Sequence, residues 1–83
     1  LKAAWWGLKS ARPDALVVMP SLAAPPGPYA ELLADNGMGR FTDAWNLHFY
    51  GWAHDFADVV AAHRRFLARR GWRRLPLWVT EYG

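Results

Sequence analysis

The sequence predicts an α/β fold in which helices alternate with parallel strands, and three observations support this prediction. Short apolar runs alternate with segments of helical periodicity in the order helix, strand, helix, strand, helix, strand. Each crossover between strands is long enough to join a parallel pair, as in a βαβ unit. No glycine-rich phosphate loop follows a strand, which counts against a dinucleotide-binding version of the fold.

The first helix and strand are predicted within the first twenty residues. Residues 1–10 (LKAAWWGLKS) are expected to be helical, with Lys9 in the last turn, where a cation interacts favourably with the helix dipole. Pro13 prevents this helix from continuing. The run DALVVMP, from Asp14 to Pro20, is apolar and bounded by prolines, which is typical of a strand covered on both faces.

A proline-rich loop separates this unit from the second helix and strand. The loop is predicted from composition over Ala23 to Pro28 (AAPPGP). Residues 29–36 (YAELLADN) predict a short helix, which Gly37 is expected to end at the C′ position. The run AWNLHFY, from Ala44 to Tyr50, predicts the second strand.

The third helix has the clearest pattern in the chain. Asp55 is expected to accept hydrogen bonds from its first free amides, and Asp58 adds negative charge to its first turn. Residues on one face recur at helical spacing: Phe56, Val59, Val60, His63 and Leu67. Gly71 is expected to end this helix, and Pro76 opens a third strand that runs through Thr80.

The composition indicates the interior of a larger domain. Hydrophobic residues make up 53% of the 83 residues, charged residues make up 20%, and six residues are Trp, which is unlike a disordered chain. Because the sequence starts with Leu and stops directly after a strand, we expect an internal fragment of one domain. Units of about thirty residues fit either an open doubly wound sheet or an arc of a (β/α)8 barrel.

The net charge of +3 comes from one short stretch of the chain. Six arginines lie in it: Arg64, Arg65, Arg69, Arg70, Arg73 and Arg74. We interpret this stretch as a solvated outer helix face, with nucleic-acid binding as the alternative, and expect neither nucleic acid nor a membrane as a partner. No apolar run approaches the ~20 residues of a membrane span. The absence of Cys excludes thiolate zinc sites and a Cys nucleophile.

The second and third strands both carry polar side chains toward their carboxyl ends, where parallel α/β sheets hold their chemistry. By the period of two, Asn46, His48 and Tyr50 share one face of the second strand. In the third strand, Glu81 is expected at the top of an apolar face that includes Val79. A carboxylate beside a phenol and an imidazole is suited to act as a nucleophile or a general base.

These two strand ends resemble a known family of enzymes. The run PLWVTEYG resembles the seventh-strand motif of the large clan of (β/α)8-barrel (TIM-barrel) retaining glycoside hydrolases, which includes cellulases, mannanases, β-xylosidases and β-galactosidases. The run NLHFYG resembles the sixth strand of that clan. The resemblance implies that Glu81 is the nucleophile and that His48 and Tyr50 contact the sugar and the nucleophile. It spans the chain from the fourth helix to the seventh strand of a partial barrel, with the fifth strand at residues 15–20.

The implied function is hydrolysis of β-glycosidic bonds in an oligo- or polysaccharide with retention of configuration. Residues 1–83 would form an incomplete catalytic domain, because the clan's acid/base Glu and its eighth-strand aromatic platform fall outside the matched segment. We therefore expect a carbohydrate partner, no cofactor, and no activity from these residues alone. The alternatives are a catalytically inactive carbohydrate-binding barrel and another (β/α)8 enzyme that uses Glu81 as a general base.

The remaining polar and aromatic residues divide between site and scaffold. Asn46 is expected either to line the site or to be buried, and Trp52 either to stack on a sugar ring or to pack within its loop. His63 is predicted to be a core histidine, and the three histidines lack metal-ligand spacing, so no metal site is expected. Trp78 is expected to point away from Glu81. The other tryptophans are predicted to be packing residues: Trp5, Trp6, Trp45 and Trp72.

Overall fold

The described residues form a mixed α/β structure with three helices and a two-stranded parallel sheet, which confirms the predicted class. The computed structural model describes residues 1–23 and 25–83. The elements are α1 (Lys2–Ala11), α2 (Pro28–Asp35), β1 (Trp45–Phe49), α3 (Phe56–Arg69) and β2 (Leu77–Tyr82), with short 3₁₀ turns at Met38–Arg40 and Ala53–Asp55. In the predicted loop, Ala24 lies outside the described residues.

The ends of α2 and α3 follow from local chemistry. Pro28 is at the start of α2, where its missing amide costs no hydrogen bond. Gly37 follows α2 with φ of 78° and Gly71 follows α3 with φ of 77°, a left-handed conformation that side chains other than Gly rarely adopt. Both predicted helix stops are confirmed.

Asp55 does not cap α3, so that prediction was wrong. Its backbone has φ of −86° and ψ of −13°, and its side chain makes no capping hydrogen bond. A capping side chain reaches the first amides from an extended backbone, whereas the turn Ala53–Asp55 already holds Asp55 in helical geometry. The Asp55 carboxylate instead lies 3.4 Å from Nε2 of the neighbouring His54.

The predicted first strand, over residues 14–20, is not formed. This part of the chain and the residues after it meet the sheet through two isolated parallel bridges, Val18 with Ala44 and Leu22 with Leu47. The segment 17–22 therefore runs parallel to β1 on the side opposite β2, but it does not continue the ladder.

Two side chains and a proline prevent a regular hydrogen-bond ladder between this segment and β1. The Val17 amide donates to Asp43 Oδ2 at 2.9 Å, and the Met19 amide donates to Thr42 Oγ1 at 3.0 Å. Pro20 has no amide to donate. Because the Thr42 hydroxyl shares the Met19 amide with the Ala44 carbonyl, 3.5 Å away, and Asp43 takes the Val17 amide, the segment stays beside β1 without becoming a strand.

A β-bulge changes which side chains share a face of the sheet. Leu47 lies opposite Val79, but the next pair is His48 and Glu81, so Thr80 is an extra residue in β2. An extra residue reverses the alternation of side chains that follow it. Glu81 therefore shares a face with His48 rather than with Val79, and the prediction from strict alternation was wrong.

The same bulge corrects the prediction for Trp78. Trp78 pairs with Asn46, two positions before the pair of His48 and Glu81, so that Trp78 and Glu81 lie on the same face. Asn46 is buried, whereas Trp78 is exposed at the edge of the sheet.

The core packs against the opposite face of β1. The Trp45 indole is fully buried, and its Nε1–H donates to Nδ1 of His63 on α3 at 3.1 Å. Its ring centroid lies 5.5 Å from that of Phe66 and 6.1 Å from that of Trp72. The predicted core positions of Trp45, His63 and Trp72 are confirmed. The buried apolar cluster comprises Met19, Leu22, Ala30, Ala34, Trp45, Phe66 and Leu67.

Helix α1 packs through one tryptophan and exposes the other. Trp5 is half-buried, with its ring edge-on to Phe41 at 6.5 Å, as predicted for a packing residue. Trp6 is 64% exposed, so its predicted packing role was wrong. Adjacent positions on a helix point about 100° apart, and only one of the two can face the core.

The arginine-rich end of α3 is a solvated surface, as predicted, apart from Arg70. The Arg70 guanidinium contacts the carboxylates of Glu31 and Asp35 and so joins the end of α3 to α2. The remaining five are exposed: Arg64, Arg65, Arg69, Arg73 and Arg74. Within the described ranges, every helix is too short or too polar to cross a bilayer.

Candidate functional site

Five polar side chains lie together on one face of β1 and β2, from Asn46 near the start of β1 to Tyr50 and Glu81 at the strand ends. We call them the strand-end cluster: Asn46, His48, Tyr50, Thr80 and Glu81. The parallel pairing brings the carboxyl ends of both strands to the same edge of the sheet, and the bulge at Thr80 turns Glu81 toward His48. The Gly83 amide donates to the Phe49 carbonyl at 2.9 Å, which holds the two strand ends together beyond the cluster.

Glu81 is at the open end of the cluster. The Tyr50 hydroxyl donates a hydrogen bond to Glu81 Oε2, and His48 Nδ1 lies 3.3 Å from the same oxygen. The Glu81 side chain is 55% exposed, whereas that of His48 is 26% exposed. The cluster therefore holds one carboxylate oxygen between two partners while leaving the carboxylate accessible to a ligand.

The inner half of the cluster connects His48 to the core. His48 Nε2 lies 3.1 Å from Thr80 Oγ1, and the Thr80 hydroxyl donates to Asn46 Oδ1 at 2.9 Å. The Asn46 amide donates to the Met19 carbonyl at 3.3 Å. Asn46 is buried, so the predicted alternative of a buried scaffold position describes it better than a direct site-lining role.

The structure brings together four of the five residues expected at the site. Hydrogen bonds through Thr80 join Asn46 to His48, and another joins Tyr50 to Glu81. The 3.3 Å contact between His48 and Glu81 connects the two pairs. Trp52 is 74% exposed, and within the described part of the chain its ring stacks on His54, with centroids 6.5 Å apart, rather than on a member of the cluster. A role for Trp52 in sugar stacking stays a prediction.

Thr80 is the member of the cluster that the sequence reasoning did not single out. Its hydroxyl contacts both Asn46 and His48, and its position in the bulge brings Glu81 to the polar face. The signal was present, because two consecutive polar residues, Thr80 and Glu81, interrupt the apolar and polar alternation of the third strand. Such an interruption is compatible with a bulge.

An apolar cleft of about 490 Å³ opens on the other face of the two strand ends. Phe49, Phe56 and Val79 contribute to its walls. These side chains offer no hydrogen bonds, so a hydroxyl-rich ligand suits the strand-end cluster better than the cleft. Among the described residues, no three His, Cys, Asp or Glu side chains are grouped to hold a metal ion.

No protein-family model, no curated protein and no solved structure matches the chain. Support for a function therefore comes from the geometry of the strand-end cluster and from the chemistry of its side chains.

Proposed function

We propose that the chain is part of the catalytic barrel of a retaining β-glycosidase and that Glu81 is its nucleophile. The observation that carries this proposal is the contact of one Glu81 oxygen with both the Tyr50 hydroxyl and His48 Nδ1. These two partners fix the orientation of the carboxylate, and its exposure leaves room for a sugar ring. An oriented, accessible carboxylate at a strand end is what nucleophilic attack on an anomeric carbon requires.

The order of the chain segments supports a partial (β/α)8 barrel. Residues 17–22, β1 and β2 lie side by side in chain order and all run parallel. Consecutive strands are neighbours throughout a barrel, whereas a doubly wound sheet reverses their order at its switch point. In this proposal the three segments are the fifth to seventh strands of the barrel.

The proposed reaction has two steps. In the first, a Glu81 oxygen bonds to the anomeric carbon while the bond to the leaving oxygen breaks, and an acid group protonates that oxygen. In the second, the same group takes a proton from water, the water oxygen bonds to the anomeric carbon, and the bond to Glu81 breaks. Retention requires the two carboxyl groups to be roughly 5 to 5.5 Å apart, so the proposal needs an acid/base residue from elsewhere in the protein.

The proposed substrate is a β-linked oligo- or polysaccharide. His48 and Tyr50 flank Glu81 with groups that hydrogen-bond to sugar hydroxyls, and the exposed Trp52 indole is suited to stack on the apolar face of a sugar ring.

Replacement of Glu81 in the full-length protein tests the proposal. Glu81→Gln keeps the shape of the side chain but removes its nucleophilic charge, so kcat on an aryl β-glycoside should fall by about 10³-fold or more while circular dichroism is unchanged. Glu31→Gln is the control. Glu31 lies on α2, pairs with Arg70 and is not part of the strand-end cluster. Normal hydrolysis by Glu81→Gln, or inversion at the anomeric carbon seen by NMR, would refute the assignment.

Two other functions share this geometry, because Glu81 is the one carboxylate in the strand-end cluster. A carbohydrate-binding barrel would bind sugars without turnover, and a different barrel enzyme would use Glu81 as a general base. A 2-deoxy-2-fluoroglycoside separates the three. A nucleophile becomes covalently glycosylated, which peptide mass spectrometry detects on Glu81, whereas the two alternatives leave Glu81 unmodified.

A further inference from the structure

The hydrogen bonds that lead from the Met19 carbonyl to His48 have a definite direction. A carbonyl oxygen only accepts, so the Asn46 atom 3.3 Å from it must be the amide nitrogen. Oδ1 of Asn46 therefore faces Thr80 Oγ1, at 2.9 Å. Because Asn46 is buried, this orientation is fixed by the protein rather than by solvent.

Thr80 transmits this direction to His48. A hydroxyl has one hydrogen, and Asn46 Oδ1 takes it, so Thr80 presents a lone pair to His48 Nε2 at 3.1 Å. Nε2 must then carry a hydrogen and donate it to Thr80 Oγ1. The buried Asn46 side chain thus determines, through Thr80, that Nε2 of His48 carries a hydrogen.

The other ring nitrogen of His48 faces the carboxylate. Nδ1 lies 3.3 Å from Glu81 Oε2, and a lone pair at that position would be repelled by the negative charge. A hydrogen on Nδ1 would instead point toward this oxygen, so the carboxylate favours a hydrogen at that position. The other titratable group facing His48 is Tyr50, whose ring is edge-on to the imidazole at 6.4 Å and whose hydroxyl donates to the same Glu81 oxygen.

We propose that Thr80 is a positioning residue: its hydroxyl, oriented by Asn46, accepts a hydrogen bond from Nε2–H of His48 and so holds the imidazole beside Glu81 Oε2. Both described partners of the Glu81 carboxylate then lie on Oε2, which makes Oε1 the oxygen presented to a ligand. The protonation pattern of His48 is independent of the reaction catalysed, whereas its kinetic consequence rests on the proposed glycosidase activity.

The ring nitrogens of His48 report this directly in the full-length protein. Histidine-labelled samples give the ¹⁵N shifts of both ring nitrogens by NMR, and loss of signals in His48→Gln assigns them. We expect a protonated Nε2 at neutral pH in the wild type and in Thr80→Ser, which keeps the hydroxyl. In Thr80→Val, Nε2 loses its acceptor, so we expect its shift to move to that of an unprotonated nitrogen while Nδ1, beside the carboxylate, carries the hydrogen.

A second hydroxyl-free variant, Thr80→Ala, replaces Thr80→Val if the latter does not fold. An unprotonated Nε2 in the wild type would overturn the proposal, and so would an Nε2 shift that is the same with and without the hydroxyl.

Kinetics then connect the hydroxyl to catalysis. Loss of one oriented hydrogen bond should lower kcat of Thr80→Val by about tenfold, with KM changed by less than about twofold and with activity restored in Thr80→Ser. An unchanged kcat in Thr80→Val would refute the positioning role. A wild-type protein without glycosidase activity would remove the proposed function but not the ring-nitrogen result, so the two failures are distinguishable.

Discussion

A histidine lies on each side of β1, His48 on the strand itself and His63 on α3, and the two have opposite environments. His63 is fully buried on the helix-facing side, where it accepts a hydrogen bond from the Trp45 indole. His48 is on the other side, partly exposed, between the Glu81 carboxylate and the Thr80 hydroxyl. The residue type is the same, but one imidazole satisfies a buried indole donor and the other is held beside a carboxylate that solvent can reach.

The two histidines illustrate two roles of a polar side chain, one that stabilises the fold and one that can contact a ligand. A buried polar pair without access to solvent contributes stability, because neither group can find another partner without unfolding. A chain of polar groups that ends in an exposed carboxylate can exchange a water partner for a ligand. The faces should therefore respond oppositely to substitution, one in stability and the other in activity.

The largest expected effect comes from His63→Ala. Removal of the buried ring leaves a cavity and deprives the Trp45 indole of its acceptor, so the free energy of unfolding should fall by about 3 kcal/mol. His48→Ala should lower it by about 1 kcal/mol or less, because the side chain is partly exposed. Urea denaturation of the full-length protein measures both changes.

Activity should show the reverse order. Folded His63→Ala should keep its kcat on an aryl β-glycoside, whereas His48→Ala should lose most of it. Equal stability losses in the two variants would mean that the faces do not differ as described.

Much of the helix-facing side could be predicted from the sequence. The spacing of Val59, His63 and Leu67 identifies one apolar helix face, and Gly37 and Gly71 identify helix ends, because these signals act within a few residues. The strand predicted at residues 14–20 was wrong for the opposite reason. Two of its amides, those of Val17 and Met19, donate to side chains more than twenty residues away in sequence, which no local pattern reveals.

The polar face could be predicted in its membership but not in its geometry. The residue types and their positions near strand ends identified His48, Tyr50 and Glu81. Strict alternation, however, placed Glu81 on the wrong face, because the position of the bulge depends on how β2 pairs with β1. The tertiary pairing, rather than the β2 sequence alone, creates the contact between Glu81 and His48.

Two glycines offer the next test of the comparison, with a smaller expected effect. A Cβ at Gly39 would overlap the indole ring of Trp72, which packs against Trp45 in the core, so Gly39→Ala should cost about 2 kcal/mol. A Cβ at Gly83 would lie 3.1 Å from the Tyr50 ring, which is exposed and can move, so Gly83→Ala should cost less than about 0.5 kcal/mol.

The readout again separates the two faces. Thermal unfolding of the full-length protein should detect Gly39→Ala, whereas Gly83→Ala should show mainly in kcat, because displacement of Tyr50 moves its hydroxyl away from Glu81. A strongly destabilised Gly83→Ala would contradict the view that the polar face contributes little to stability.

An effect smaller than that of Gly39→Ala is expected at the carboxylate just before β1, at the opposite end from Glu81. Burial acts to raise the pKa of Asp43, but hydrogen bonds from Lys9 and the Val17 amide, together with the Lys9 charge, outweigh it and hold that pKa below its ordinary value of 3.8. A lowered folded-state pKa gives stability that is present above the unfolded-state pKa and is lost as the pH falls through the folded-state value. Asp43→Asn should therefore cost about 1 kcal/mol at neutral pH and flatten the loss of stability below about pH 4, with kcat unchanged. Lys9→Met should flatten the same part of the curve, measured by urea denaturation across pH. If the stability of Asp43→Asn still fell with pH as steeply as that of the wild type, the contacts of Asp43 with Lys9 and the Val17 amide would not contribute to stability as described.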